Sequence, residues 1–320
     1  MKIGIMVIGL MGRAFVERFM SCSTGNDDFT ISAYNRSTKK LDDLKHSGVD
    51  ICDSAEGLID SSQVIILMAS DASAIDALLP LNSADLDSTD LGSVNSGSVD
   101  SGTASPESAA PRSASLAGKT ILQMATIAPQ QSRELCTAVE RCGGRYLEAP
   151  VLGSIPEASN GNLIIMAGGR RDVFDDVLPV LEILGSAPRY IGQVGSGAAL
   201  KLAMNQLIAA LTAGFSLSLA YAMKNGVDTE LFMDTVRDSA LYAKTYDKKL
   251  EKYLSRDFGS ANFSTRHLLK DIRLFIEDAR AAGLDTDALQ GIERITSKAV
   301  DSGMATMDYS SIFEIISPAE

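Results

Sequence analysis

The chain begins Met1-Lys2-Ile3-Gly4-Ile5-Met6-Val7-Ile8-Gly9-Leu10-Met11-Gly12, and the reading of this stretch decides the architecture. Residues 3–8 form an apolar run of the length of one buried strand. Gly9 and Gly12 then fall at the spacing of the second and third glycines of a phosphate loop G-x-G-x-x-G, with Val7 at the place of the first. A glycine at 9 lets backbone approach a pyrophosphate, and a glycine at 12 lets the following helix, over residues 12–20, pack against the strand. The helix start then offers N–H groups and a positive dipole end to phosphate. Leu10 and Met11 complete the loop. Val7 constrains the turn.

Outward from this unit, β-type apolar runs alternate with amphipathic helical ones, the pattern of a parallel sheet wrapped by helices. Residues 29–34, 64–68, 121–124, 145–148 and 163–167 read as strands, and residues 39–47 and 130–141 as helices. Residues 64–68 are apolar throughout, as a strand buried on both faces requires. After the second strand stand Asn35-Arg36-Ser37. A protein that reads a ribose 2'-hydroxyl places an acid there, whereas Arg36 suits a 2'-phosphate by charge and bidentate geometry. NADP(H) is therefore expected in preference to NAD(H), the alternative being that Arg36 caps a solvated strand end. Residues 82–115 are rich in Ser, Asp, Gly, Ala and Thr and too poor in large apolar residues to bury themselves. They read as a disordered surface insertion.

From Gly195 onward the pattern changes to helices at 197–225, 229–239, 242–254, 265–282 and 286–302. The expected fold is an α/β Rossmann-type N-terminal domain (residues 1–194) plus an all-α C-terminal domain (residues 195–320), joined by a long interdomain helix. A ligand crevice is expected between the two halves.

Composition narrows the functional classes. The 320 residues carry a formal net charge of -12, which disfavours a nucleic-acid partner. Cys22, Cys52, Cys136 and Cys142 show no metal-ligand spacing, and only His46 and His267 are available, so no metal site is expected. Reduced thiols fit a cytoplasmic protein. The apolar start resembles a signal peptide, but Arg13, Glu17 and Arg18 interrupt it. Residues 200–223 are long enough to span a bilayer, yet Lys201, Asn205 and Gln206 sit at one end, so a buried helix is favoured over a membrane span.

Lys201 and Asn205 lie four residues apart in that apolar run and share one helix face. A lysine there is costly to bury unless its charge or proton is used. The alternative is a snorkelling lysine and an incidental amide.

Several further motifs occur in a fixed order. Ala125-Thr126-Ile127-Ala128-Pro129 precedes Glu148-Ala149-Pro150-Val151-Leu152-Gly153-Ser154. Gly195-Ser196-Gly197 leads to Lys201 and Asn205, Phe263 to Lys270-Asp271, and the set closes with Asp308-Tyr309-Ser310. In this order, and with the N-terminal loop, they resemble the β-hydroxyacid dehydrogenase family (3-hydroxyisobutyrate dehydrogenase-like), and within it the glyoxylate/succinic semialdehyde reductase branch. The resemblance runs from Lys2 to about Ile315 apart from the insertion.

It implies an NADPH-dependent reductase of small aldehyde or 2-oxo acids, working as a homodimer or homotetramer. Lys201 would donate the proton and Asn205 would fix the lysine or the substrate. Thr126, Leu152, Gly153, Ser154, Phe263 and Asp271 would line the substrate. Gly9, Leu10, Met11, Gly12, Asn35, Arg36, Ser37, Met68, Thr126 and Lys270 would hold the cofactor. Leu152 departs from the family's serine, whose hydroxyl helps hold a substrate carboxylate, and Ala125 and Ala128 remove two more hydroxyls. Leu217 stands where the long helix usually has a glutamate. These departures favour either a 3-hydroxyisobutyrate-type substrate, a bulkier carbonyl compound, or a dinucleotide-binding sensor without catalysis.

Overall fold

The computed structural model describes residues 1–22, 29–45, 47–79, 81 and 115–319. The insertion expected at 82–115 thus lies, but for Ser115, outside the described residues, as does His46.

The sheet is built from β1 (Lys2–Met6), β2 (Thr30–Tyr34), β3 (Asp50–Ile51), β4 (Val64–Leu67), β5 (Thr120–Gln123), β6 (Arg145–Glu148), β7 (Val151–Leu152), β8 (Ile164–Gly169) and β9 (Arg189–Gly192). Its order is β3-β2-β1-β4-β5-β6-β8-β7, with β9 beside β8. The strands from β3 to β6 run parallel, and β8 is antiparallel to β6 and β7. β1 has β2 on one side and β4 on the other, so the strand order reverses at its C-terminal end. A crevice at that switch point is where sheets of this type bind ligands.

Residue alternation divides the core between the two faces. Ile3 and Ile5 of β1 and Val64 and Ile66 of β4 join one cluster with Phe15 and Phe19 of α1 (Leu10–Cys22) and Val177 and Leu181 of α6 (Arg171–Leu184). Ile65 and Leu67 point the other way, onto Leu58 of α2 (Ala55–Ser61) and Val139 of α4 (Pro129–Arg141). α3 (Ala72–Asp76) and α5 (Ile155–Ser159) are short. The helix expected at 39–47 is instead two 3-10 turns, Thr38–Lys40 and Asp42–Leu44. Of the described residues in this segment only Leu41 and Leu44 reach the core, too little apolar surface to hold a continuous helix.

The second half is helical: α7 (Ser196–Lys224), α8 (Thr229–Arg237), α9 (Lys244–Ser255), α10 (Thr265–Ala281), α11 (Asp287–Ala299) and α12 (Phe313–Ile316). Among the described residues, α7 is the helix with the length and apolarity of a membrane span. It packs against β8, α4, α10, α11 and α12, running through the molecule as the shared wall of both halves.

Candidate active site

The loop after β1 is tied down from several directions. The Val7 N–H donates to the Tyr34 carbonyl (3.0 Å) and the Ile8 N–H to Asn35 Oδ1 (3.0 Å), while Asn35 Nδ2 donates to the Ser37 carbonyl (2.9 Å). Asn35 is buried and spends its amide joining two loops. The N–H groups of Leu10, Met11 and Gly12 precede the first intrahelical bond, from Arg13 N–H to the Gly9 carbonyl, and so lie open to an anion. A Cβ on Gly9 would meet nothing within 4 Å, leaving clear space over the loop. A Cβ on Gly12 would lie 2.4 Å from the Val7 carbonyl oxygen, so only glycine permits this helix–strand approach. Val7 itself takes φ +72°, where a β-branched side chain is strained. Arg36 and Ser37 are exposed at the end of β2, beside exposed Lys39 and Lys40, and Met68 is half-buried at the end of β4. Open N–H donors over clear space, with basic side chains beyond, fit the pyrophosphate and ribose end of a dinucleotide.

α7 carries a buried lysine. Lys201 is 9% exposed, and burial depresses its pKa from 10.5 to about 8. Asp271 acts against that depression and Lys270 adds to it. Lys201 Nζ donates to Asn205 Oδ1 (2.9 Å), and Asn205 Nδ2 donates to Asp271 Oδ2 (2.6 Å). A carboxylate only accepts, so Asp271 fixes the amide with its oxygen toward the ammonium. One Lys201 proton is thereby engaged and two remain for an incoming oxygen. Lys270 Nζ lies 2.9 Å from Asp271 Oδ1, an ion pair without a well-directed hydrogen bond, and donates instead to the Thr126 carbonyl (2.6 Å). Lys201, Asn205, Asp271, Lys270 and Thr126 thus form one polar chain crossing from α7 through α10 to the loop after β5.

The other expected residues lie around this chain. Phe263 stacks on His267 (6.3 Å between ring centroids, 11°) and tilts against Tyr309 (5.8 Å). Burial and the nearby Lys270 lower the His267 pKa, consistent with a neutral ring. Half-buried Leu152 ends β7, which packs on α7. Gly153 takes φ +130°, and a Cβ there would meet Leu163 Cδ2 at 2.7 Å. Ser154 donates both its N–H (2.8 Å) and its hydroxyl (2.7 Å) to Glu157 Oε2, a capping box on α5. Those two bonds hold the Glu157 pKa down to about 2. Lys248 of α9 lies 3.5 Å from Glu157 Oε1.

Three contacts escaped the sequence reading, which quoted Glu148 and Asp308 within motifs but gave them no partner. Glu148 accepts from the start of α7, part-buried Lys249 forms an ion pair with Asp308 (2.6 Å), and Glu157 takes the Ser154 donors. Only the last had a local signal, the Ser-x-x-Glu spacing of a capping box.

Comparison with known proteins shows the family. The model for the NAD binding domain of 6-phosphogluconate dehydrogenase matches residues 2–123 and 113–195. The model for NAD-binding of NADP-dependent 3-hydroxyisobutyrate dehydrogenase matches residues 195–316. The chain belongs to the β-hydroxyacid dehydrogenase family. As such it is an NAD(P)-dependent oxidoreductase binding a nicotinamide dinucleotide. Among β-hydroxyacid dehydrogenase relatives, glyoxylate/succinic semialdehyde reductase 1 of Arabidopsis thaliana is 26% identical, covering 99% of this chain and 98% of its own length. The 2-hydroxy-3-oxopropionate reductase of Escherichia coli is 25% identical, covering 99% of this chain and 97% of its own. In three dimensions, 3-hydroxyisobutyrate dehydrogenase from Salmonella typhimurium superposes with a TM-score of 0.78 at 18% identity, covering 98% of this chain and 99% of its own.

Proposed function

We propose that the protein is an NADPH-dependent reductase of small aldehyde or 2-oxo acids, such as glyoxylate or succinic semialdehyde, with Lys201 as proton donor. One observation carries this reading: a buried lysine held near pKa 8, aimed by Asn205 and Asp271, with two protons still to give. The bound nicotinamide supplies a hydride to the carbonyl carbon. Lys201 hydrogen-bonds the carbonyl oxygen, stabilises the charge that develops there and delivers its proton. Asn205 holds the ammonium in line. Lys270, gripping the Thr126 carbonyl, keeps α10 closed against the loop after β5. Arg36, with Lys39 and Lys40 near it, supports a 2'-phosphate over a free ribose hydroxyl.

A second reading moves the substrate. Leu152 is apolar, and Ser154 has both donors committed to Glu157, which disfavours a carboxylate at that end of the pocket. A bulkier or less charged carbonyl compound fits these groups better.

The test is NADPH consumption with glyoxylate and succinic semialdehyde, against NADH and against Lys201→Ala. Turnover that prefers NADPH and collapses by about 100-fold or more in the variant supports the reading. NADPH binding without turnover of either acid, or of a panel of larger aldehydes, points to a sensor and overturns it.

A further inference from the structure

α7 carries the proposed proton donor Lys201, yet it is not capped by its own sequence. Its N-cap is Gly195, in the left-handed region at φ +97°, with no side chain to accept the first N–H groups. The acceptor comes from 47 residues earlier. Glu148, fully buried at the end of β6, accepts through Oε1 from the N–H groups of Gly195 (2.8 Å), Gly197 (2.8 Å) and Ala198 (3.2 Å). Its Oε2 accepts from the Ser132 hydroxyl. An ionised carboxylate only accepts, so Ser132 donates to it and the Tyr146 hydroxyl, 2.7 Å away, donates to Ser132. Burial raises the Glu148 pKa, and the Ser132 and α7 donors act against that.

The surroundings leave Glu148 no slack. A Cβ on Gly168 would lie 2.3 Å from Oε1, and one on Gly197 would lie 2.4 Å from the Met166 carbonyl. A helix side chain leans back over the preceding turn. Lys201 lies one turn along α7 from Gly197 and Ala198, whose amides Glu148 grips.

We infer that Glu148 is a positioning residue for Lys201, setting the rotation and depth of the first turn of α7; this rests on Lys201 being the proton donor. The carboxylate fixes one end of the segment, and the bond from Asn205 to Asp271 fixes it one turn beyond the lysine.

Two variants test this. Glu148→Ala removes the grip, while Glu148→Gln keeps one accepting oxygen and offers its amide hydrogens to Ser132. The expected result is a kcat lower by about 100-fold in Glu148→Ala and by about 10-fold in Glu148→Gln, with KM for NADPH within about threefold of the parent. In a Lys201→Ala background, Glu148→Ala is expected to cost no further activity, because its effect passes through the lysine. A wild-type kcat in both variants, or losses that multiply with those of Lys201→Ala, overturns the inference.

A separate arm stands apart from turnover. Acetylation of Lys201 by acetic anhydride, read by peptide mass spectrometry against exposed Lys298, is expected to run at least about fivefold faster in both variants. Unchanged acetylation overturns the inference. Should the wild type reduce no carbonyl probe, the reductase reading fails and the acetylation arm alone decides the role of Glu148.

Discussion

Lys201 pairs a functional group with a cost to the fold. Its pKa lies at about 8 against an ordinary 10.5, so the native state binds its proton less tightly than the unfolded chain does. Below about pH 8 both states are protonated and the penalty is complete, on the order of 3 kcal/mol; it fades as pH climbs from there toward the ordinary value. Lys201→Met is therefore expected to abolish reduction while raising Tm by a few degrees at pH 7, and the gain should shrink above about pH 8. A Tm below the parent at pH 7 would show that burial is not straining the lysine. Catalysis has its own sign. Under the proposed mechanism, in which reduction needs the ammonium and alcohol oxidation the free amine, reduction should fall as pH rises through about 8 and oxidation should rise. Val7 is the second strained residue, at φ +72° with a half-buried side chain. Replacement by glycine should leave stability within about 1 kcal/mol of the parent, where an ordinary buried Val→Gly change loses 2 or more; denaturant unfolding decides. Of the residues that matter, Lys201 and Asn205 were legible because helical periodicity relates them directly. Asp271 and Glu148 were named from motifs, but their contacts were not legible, because those close only when distant elements meet.

At the scale of the element, α7 offers two glycines with opposite expectations. Gly197 is buried, and an added methyl would collide with the Met166 carbonyl at 2.4 Å. Gly214 is exposed, and a methyl there would touch nothing within 4 Å. Gly197→Ala should cost on the order of 2–4 kcal/mol through clash and loss of the Glu148 contact. Gly214→Ala should gain about 0.5–1 kcal/mol through helix propensity. Urea midpoints of the two proteins would settle the contrast, and equal midpoints would refute it. The long helices could be read from sequence to within a few residues, since each carries a sustained apolar stripe and a stop signal such as Gly226. β3 and β7, two residues each, were invisible because so short a segment has no period, and the pairing partner alone creates the strand.

Among the described residues, α7 leaves a row of apolar side chains open. Leu207, Leu211, Leu217 (62% exposed) and Tyr221 (70% exposed) all face solvent on α7, and Leu231 does so on α8. Such a patch commonly marks an association surface. We expect a second copy of the chain to cover it. Light scattering should find a dimer or larger assembly in the parent and a monomer in Leu217→Glu/Tyr221→Glu; a monomeric parent would remove the expectation. The two-part architecture was legible because the change from alternating strands to successive helices at Gly195 is a change of period. The join between the parts was not, since it includes contacts between residues far apart in sequence, such as a carboxylate reaching 47 residues along the chain and Lys270 on the Thr126 carbonyl. That join has a mechanical consequence. At a rise of about 1.5 Å per residue, α7 is a rod of roughly 43 Å, pinned at the sheet end. A tilt of about 2° about the pin would sweep the far tip by roughly 1.5 Å but shift the level of Lys201 by only about 0.3 Å. Lys201 sits near the fulcrum of this lever, so a given tilt of α7 displaces it far less than the far tip.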